Sequence, residues 1–571
     1  MRQPIATYIT FAEFNGGRPS SLEEFRAELT KYQRNGVIAL CSAINCLLKT
    51  WIGGRVDPRA HDLLTQSAFP LELAARMKRA RESANNPRVV FHRQQLLFVV
   101  KEAVLQCKNE GINPLSNAQW NNFGTTLLMA NDQLPFLFPR AEDRDQQLLN
   151  TLAEFIPVLE ISGPYSMKNK TARAQAMADI AAELVGHADF IDMATIFAGL
   201  SGMNVREFRA LSFASMTKYM QLDLDQFQKN PSDFFLPRSW FQAAAMEPAK
   251  VARFLDDVSS DGGALQTKFQ KRNAGKSDFT PMRDRPLYTT TDRLFAIDAA
   301  FLGEKVETGI FWAVHNSLDA ADRQRLHRFW GHVFQTYMDR LLLKNVAGGK
   351  NKYTPSPSYV SGGEVCDGLI LCGSSVLLLE YKGATFTAES KYSGDTKLLS
   401  EVLNEKLVME KGVRQLATAV ERLFKRGAID AISDVDISKV RRVFPVLVTR
   451  DNIGGALVIN AILNRQFDAM INRRSCRPYV ITPLFCMDAE VMEGISAYLR
   501  EARLDDILNA RYQGDPRMMS SFGQVSNPVL ETIGPRPNEF VDFWFDQFVK
   551  TGLTLLFPGE VFETDHSKAQ Q

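Results

Sequence analysis

The stretch from Glu364 to Lys382 constrains the fold of this chain more than any other. Two apolar runs, Val365–Cys372 and Val376–Lys382, are joined by Gly373-Ser374-Ser375, and small residues between two β-prone runs mark a hairpin. A two-residue turn at Gly373-Ser374 sets Asp367 opposite Glu380, whereas one at Ser374-Ser375 sets it opposite Lys382. Either register gathers the three charges at the open end of the hairpin. Side chains alternate along a strand, so Glu380 and Lys382 share one face and Tyr381 points to the other. The runs Leu369–Leu371 and Leu377–Leu379 are apolar at successive positions, as in strands covered on both faces of an α/β sheet. Such a strand ends in two charges on one side only when they are paired or hold a cation, because burying a lone charge is costly. Cross-strand neighbours lie about 5 Å apart, which lets Asp367 and Glu380 grip one cation between them.

The surrounding pattern divides the chain. From Ser20 to about Leu265 it is helical almost throughout, with Ser21 and Glu24 spaced as a capping box and helical runs at Phe91–Cys107, Gln146–Ile156, Thr171–Leu184 and Pro248–Val258. This gives a helical amino-terminal region, residues 1–265, suited to recognition or partner binding. Residues 266–285 are rich in Lys and Arg and read as a basic linker. Within them Asn273-Ala274-Gly275-Lys276-Ser277 imitates the end of a phosphate-binding loop, but Gln270 stands where its first glycine is required. Residues 286–571 then mix periods: a short hairpin at Pro286–Thr289 and Leu294–Ile297, a long helix Ser317–Leu343, the charged hairpin, a helix Ser400–Lys425, a strand Val443–Thr449, a helix Ala456–Ile471, a strand Tyr479–Phe485, and helices at Ala489–Arg503 and Asp505–Tyr512. That order indicates a mixed sheet flanked by helices, followed by a carboxyl-terminal helical extension and a frayed tail from Lys568.

An acid, a strand turn and then Glu-x-Lys resemble the PD-(D/E)xK nuclease superfamily, whose fold is that of restriction endonucleases. The resemblance extends to the helix Leu326–Leu343 before the hairpin, to Lys411-Gly412-Val413-Arg414-Gln415-Leu416 and to the strand Val443–Thr449, and covers about Asp278 to Tyr512. It implies a restriction-endonuclease-like α/β domain behind a large all-α region, and a DNA endonuclease of phage defence or restriction. By that resemblance Asp367, Glu380 and Lys382 are catalytic. Asp367, Glu380 and the backbone carbonyl of Tyr381 would bind Mg²⁺ or Mn²⁺, a hard cation that takes oxygen ligands, with Glu364 and Gln335 as accessory ligands. Lys382 would position or deprotonate the attacking water. Two departures stand out: Cys366 replaces the proline that names the motif, and Gln335 occupies the place where the first core helix often brings a glutamate. The second leaves open a catalytically weak nuclease-fold subunit that binds nucleic acid within a complex. A repair or recombination nuclease shares the same mechanism.

Other residues are candidates for contact with DNA. Lys391, Lys397, Lys411, Arg414 and Gln415 follow the hairpin, interleaved with further basic and acidic positions, and Arg473, Arg474 and Arg477 form a second basic cluster. The decoy triplets Glu389-Ser390-Lys391 and Asp395-Thr396-Lys397 follow no apolar run and read as a solvated loop. With 67 basic against 65 acidic side chains and a net charge of +2, any basic footprint must be local. The 7 cysteines contain no Cys-x-x-Cys pair and read as core thiols, and His327 and His332 do not share a helix face. No run reaches the length of a membrane span and Met1–Ile5 lacks the apolar core of a secretory signal, so the expected setting is the cytoplasm. The expected partners are DNA and a second defence subunit or copy, with no membrane.

Overall fold

The computed structural model describes residues 7–49, 58–82, 88–108, 111, 117–134, 143–162, 166–243, 245–272, 275–291, 293–383, 385–409, 412–428 and 430–558. The protein is a mixed α/β structure. The elements that position the charged hairpin are the helices α1 (Arg144–Ser162), α2 (Met167–Glu183) and α3 (Ala320–Val346), then strands β1 (Lys352–Pro355), β2 (Gly368–Cys372) and β3 (Ser375–Lys382). They continue with α4 (Thr396–Leu403), α5 (Val413–Phe424), β4 (Arg442–Thr449), α6 (Ile459–Met470), β5 (Val480–Ile481), β6 (Phe485–Asp488) and α7 (Glu539–Leu556).

The strands form one sheet in the order β5-β4-β3-β2-β1, with β6 also pairing with β4. The pairs β1–β2 and β2–β3 are antiparallel, while β4 lies parallel to β3 and both β5 and β6 run parallel to β4. Cys372 pairs with Ser375, so the turn is Gly373-Ser374, with Gly373 at φ 60°, the positive φ that a tight hairpin turn requires at its first central residue. Every residue of β3 is buried. Leu377, Leu379 and Tyr381 join an apolar cluster with Val333, Phe334 and Met338 of α3. Val376 and Leu378 join a second cluster with Leu416 and Val420 of α5, Leu463 of α6, and Leu152 and Ile156 of α1. The covering of both faces, expected from the unbroken apolar runs, is therefore supplied by α3 on one side and by α1, α5 and α6 on the other.

Several expectations need correction. The region read as all-α, residues 1–265, also holds short strands: Thr7–Tyr8 pairs with Arg88–Val89, and Ser259–Ser260 pairs with Leu287–Thr289. The helix read over Ser400–Lys425 is broken: it is α4, a π-helical turn Asn404–Met409 and α5. The break falls at Gly412, whose φ is 101° and where a Cβ would lie 2.5 Å from the carbonyl oxygen of Leu407, a conformation closed to residues with side chains. The strand Tyr479–Phe485 is likewise two short strands, β5 and β6, interrupted around Pro483, because proline cannot donate to the ladder.

The halves of the chain are not packed separately. One apolar cluster runs from Ile9 and Phe25 through α3 to Leu556 of α7, and α1 of the helical region contributes Leu152 and Ile156 to the sheet's second face. The segment read as a basic linker contains helices Gly262–Gln270 and Thr280–Asp284, with Phe279 and Met282 buried. Its charges are held inside the structure: Arg272 pairs with Asp278 at 3.1 Å, and Arg283 donates to Glu160 at 3.0 Å and to Glu304 at 2.9 Å. Lys276 donates to the carbonyl of Gln133 at 2.9 Å, and Gly275 accepts from Lys101 at 2.7 Å, so Gly275 and Lys276 are tied into the fold by structural bonds. Asn273 and Ala274 lie outside the described residues.

Candidate active site

Strands β3 and β4 are parallel, and Lys382 lies in register with Thr449, so their carboxyl ends open on the same side of the sheet. In open α/β sheets this is where ligands are received. Continuing the register from Gly368 and Leu379 by one step sets Asp367 opposite Glu380, the first of the two arrangements the sequence allows. Asp367 accepts a hydrogen bond from the backbone N–H of Tyr381 at 2.6 Å, which fixes its carboxylate across the strand pair.

Glu380 is fully buried and Lys382 is 8% exposed, so this strand end is not a solvated one. Lys382 Nζ donates to Glu380 Oε2 at 3.0 Å. The other oxygen, Oε1, is buried and has no hydrogen-bond partner among the described residues. Burial pushes the Glu380 carboxyl up to about 8; the ammonium of Lys382 opposes the rise and the neighbouring Asp367 charge adds to it. A carboxylate held this way needs a proton or a cation, since desolvation disfavours its charged form and one lysine compensates only in part.

The helix α3 supplies an acid that the sequence pattern did not single out. Asp339 is pushed up to about 6, first by burial, with the Asp367 and Glu364 charges contributing and the Tyr353 hydroxyl opposing. Tyr353 donates its hydroxyl proton to Asp339 Oδ1, and its oxygen lies 3.0 Å from the Tyr381 hydroxyl, so a tyrosine pair ties α3 to β1 and β3 beneath the carboxylates. The expected helix position, Gln335, instead donates to the Ser356 hydroxyl at 3.1 Å; Ser356 in turn donates its N–H to the Asp367 carbonyl at 2.9 Å. Asp339 is one helical turn beyond Gln335, on the same face. That spacing was visible in the sequence; which of the two turns meets the strand ends was not. Glu364 is exposed at the rim.

The pair Asp367 and Glu380 offers carboxylate oxygens, one of them buried without a partner among the described residues, and such oxygens suit a hard divalent ion; among the described residues no third acid, His or Cys joins both within 4.8 Å. At the edge of the site, a Cβ on Gly412 would lie 3.1 Å from Cε of Lys382, which brings the start of α5 against the lysine. Arg414, exposed, and Gln415, half-buried, belong to that first turn. Lys411 lies outside the described residues.

The remaining basic candidates separate. Lys397 is exposed at the start of α4. Lys391 is not part of a solvated loop: its ammonium is paired with Glu160 and, at 3.4 Å, with Asp451, inside a network that includes Tyr392 and Arg283. Burial opposes its charge, but those carboxylates hold its pKa above the ordinary lysine value. Arg422 pairs with Asp430 and Lys425 with Glu421 at 3.2 Å. All seven cysteines are free and buried. On the outside of α3, His332 meets His187 and Asp189, a grouping the sequence spacing could not reveal, but Arg328 already donates twice to Asp189 Oδ1, at 3.1 and 2.9 Å. Among the described residues, no helix is long and apolar enough to cross a membrane.

Comparison with protein-family models, curated proteins and solved structures gave no match for this chain.

Proposed function

We propose that this protein is a Mg²⁺- or Mn²⁺-dependent DNA endonuclease with a restriction-endonuclease-like domain, acting in phage defence or restriction in the cytoplasm, by itself or with a second subunit or copy. The observation that carries the reading is the buried Glu380, whose Oε1 has no partner among the described residues, placed opposite Asp367 and bonded through Oε2 to Lys382. The helix before the hairpin is α3, and the helix and strand after it are α5 and β4. All three pack on or pair within the sheet that carries the carboxylates, which supports the same reading. Asp339 lies with Tyr353 and Tyr381 on the α3 face of the sheet, across from Glu380 and Lys382, where it senses the Asp367 charge.

In this mechanism Asp367, Glu380 and the Tyr381 carbonyl would hold the ion. When bound, the ion would polarise the scissile phosphate and stabilise charge on the leaving oxygen. Lys382, fixed by Glu380, orients the attacking water and offsets negative charge at the phosphate. Asp367 is itself held by the Tyr381 N–H, so the carboxylate pair is oriented before substrate arrives. Asp339 and the Tyr353–Tyr381 hydroxyls tie α3 to β1 and β3.

The test is nicking of supercoiled plasmid by the purified chain. Cleavage with Mg²⁺ or Mn²⁺, stopped by EDTA and lost in Glu380→Gln and Lys382→Ala, is the expected result. Undiminished cleavage by those two variants would remove the site from the reaction.

A further inference from the structure

The same sheet has a second charged end. Ser375, Arg442 and Val480 are in register at the starts of β3, β4 and β5, and the five steps along β3 from Ser375 to Glu380 set this end about 17 Å from the carboxylates at roughly 3.3 Å per residue. A groove of ≈ 770 Å³ opens here, lined by Arg426, Arg473, Arg474, Arg477, Tyr479 and Val480, among others. Arg473 is committed to the fold. It pairs with Asp468 and its Nη1 donates to the carbonyls of Ile481 and, at 3.0 Å, Thr482. Arg426, Arg474 and Arg477 are exposed, and among the described residues none of the three guanidinium groups is paired with a carboxylate.

Three such guanidinium groups around one groove repel each other, and the chain's net charge of +2 shows that this is a local concentration and not a general basicity. An anion relieves that repulsion, and guanidinium groups match phosphate with paired N–H donors. The groove is far larger than one phosphate and has an apolar wall: Val480 is 55% exposed, and Tyr479 is fixed edge-on against Phe424, with ring centroids 5.2 Å apart. Basic donors beside an aromatic ring suit a nucleic-acid strand, whose phosphates and bases need both. An acidic peptide adding to the sheet is disfavoured, because Arg473 occupies a β5 carbonyl that such a strand would need.

We propose that this groove binds the phosphodiester backbone of a nucleic-acid strand, as an anchor separate from the carboxylate end. The proposal does not depend on cleavage, and binding in EDTA isolates it. The experiment is fluorescence anisotropy of a short labelled single-stranded oligonucleotide and its duplex across a KCl series. It compares wild type, Arg474→Glu/Arg477→Glu, the milder Arg474→Ala/Arg477→Ala, and Lys229→Glu, which reverses an exposed charge elsewhere. Expected are at least about tenfold weaker binding by the double Glu variant and a salt slope reduced by roughly 1.4 on the single strand and roughly 1.8 on the duplex, the loss of two phosphate contacts. The Ala pair should show the same slope change, while Lys229→Glu should bind as wild type. Unchanged affinity and slope in both arginine pairs would overturn the assignment. So would displacement of the oligonucleotide by polyglutamate at equal charge, which would give the groove to an acidic peptide.

Discussion

The two ends of the central sheet carry opposite charge in opposite surroundings. At the carboxyl ends of β3 and β4 the carboxylates are drawn inward: Glu380 is fully buried, and Glu380 and Asp339 both have raised pKa values. At the amino ends the arginines are left in water, with Arg426, Arg474 and Arg477 exposed. The difference is energetic. A buried carboxylate without full compensation favours binding of a cation or a proton strongly and locally, whereas exposed guanidinium groups cost little to keep and act through screened, reversible attraction. In the functions proposed above, one end serves coordination chemistry and the other salt-sensitive holding. Between them β3 is apolar from Val376 to Leu379, so neither set of charges can relax towards the other.

The sharpest way to break this contrast is at the buried end. Lys382→Ala should lower the rate of plasmid cleavage by roughly 10²–10⁴-fold, the usual contribution of a positioned proton-transfer group, read as initial nicking velocity at saturating Mg²⁺. The buried network around Lys391 can be broken next: Glu160→Ala would remove the carboxylate shared by Lys391 and Arg283, leaving them Asp451 and Glu304, and should destabilise the protein by about 1–3 kcal/mol, measured by urea unfolding. Smaller effects are expected from Asp339→Asn, which should weaken metal binding or activity by about 10–100-fold if the acid on α3 supports the ligands, followed by calorimetric titration with Mn²⁺.

A pH series sharpens the comparison with the smallest signal. Because the folded pKa of Glu380, about 8, lies above its ordinary value, its contribution to stability is present in full below about 4.5 and is lost as pH rises through about 8. In EDTA, wild type should therefore lose stability relative to Glu380→Gln between about pH 5 and about pH 9, seen as diverging melting temperatures. The arginine end has no counterpart, and Arg474→Ala/Arg477→Ala should track wild type across the same range. A constant gap between wild type and Glu380→Gln would mean that the carboxyl is not held in a desolvated, underpaired state.

Lys391 and Lys382 show how far the sequence could be read. Both follow an acid by two positions in a Glu-x-Lys triplet, and the apolar run before Glu380 correctly marked it as a strand end. Nothing local, however, told that Lys391 would be paired with Glu160, 231 positions away, inside the protein. The same limit applies to α3. Its helix was plain over Leu326–Leu343, but that Gln335 would meet Ser356 while Asp339 met Tyr353 of β1 depended on where β1 would lie.

The sequence by itself determined the hairpin, narrowed its turn to Gly373-Ser374 or Ser374-Ser375, and put Glu380 and Lys382 on one face, because these follow from side-chain alternation and apolar periodicity over short distances. The tertiary structure decided the rest: that the helical region and the sheet share one core, that residues 266–285 are built into it, that Glu380 keeps one oxygen without a partner among the described residues, and that arginines from separate loops meet at the far end of the sheet. Burial and pairing between residues hundreds of positions apart are properties of packing, and no local pattern carries them.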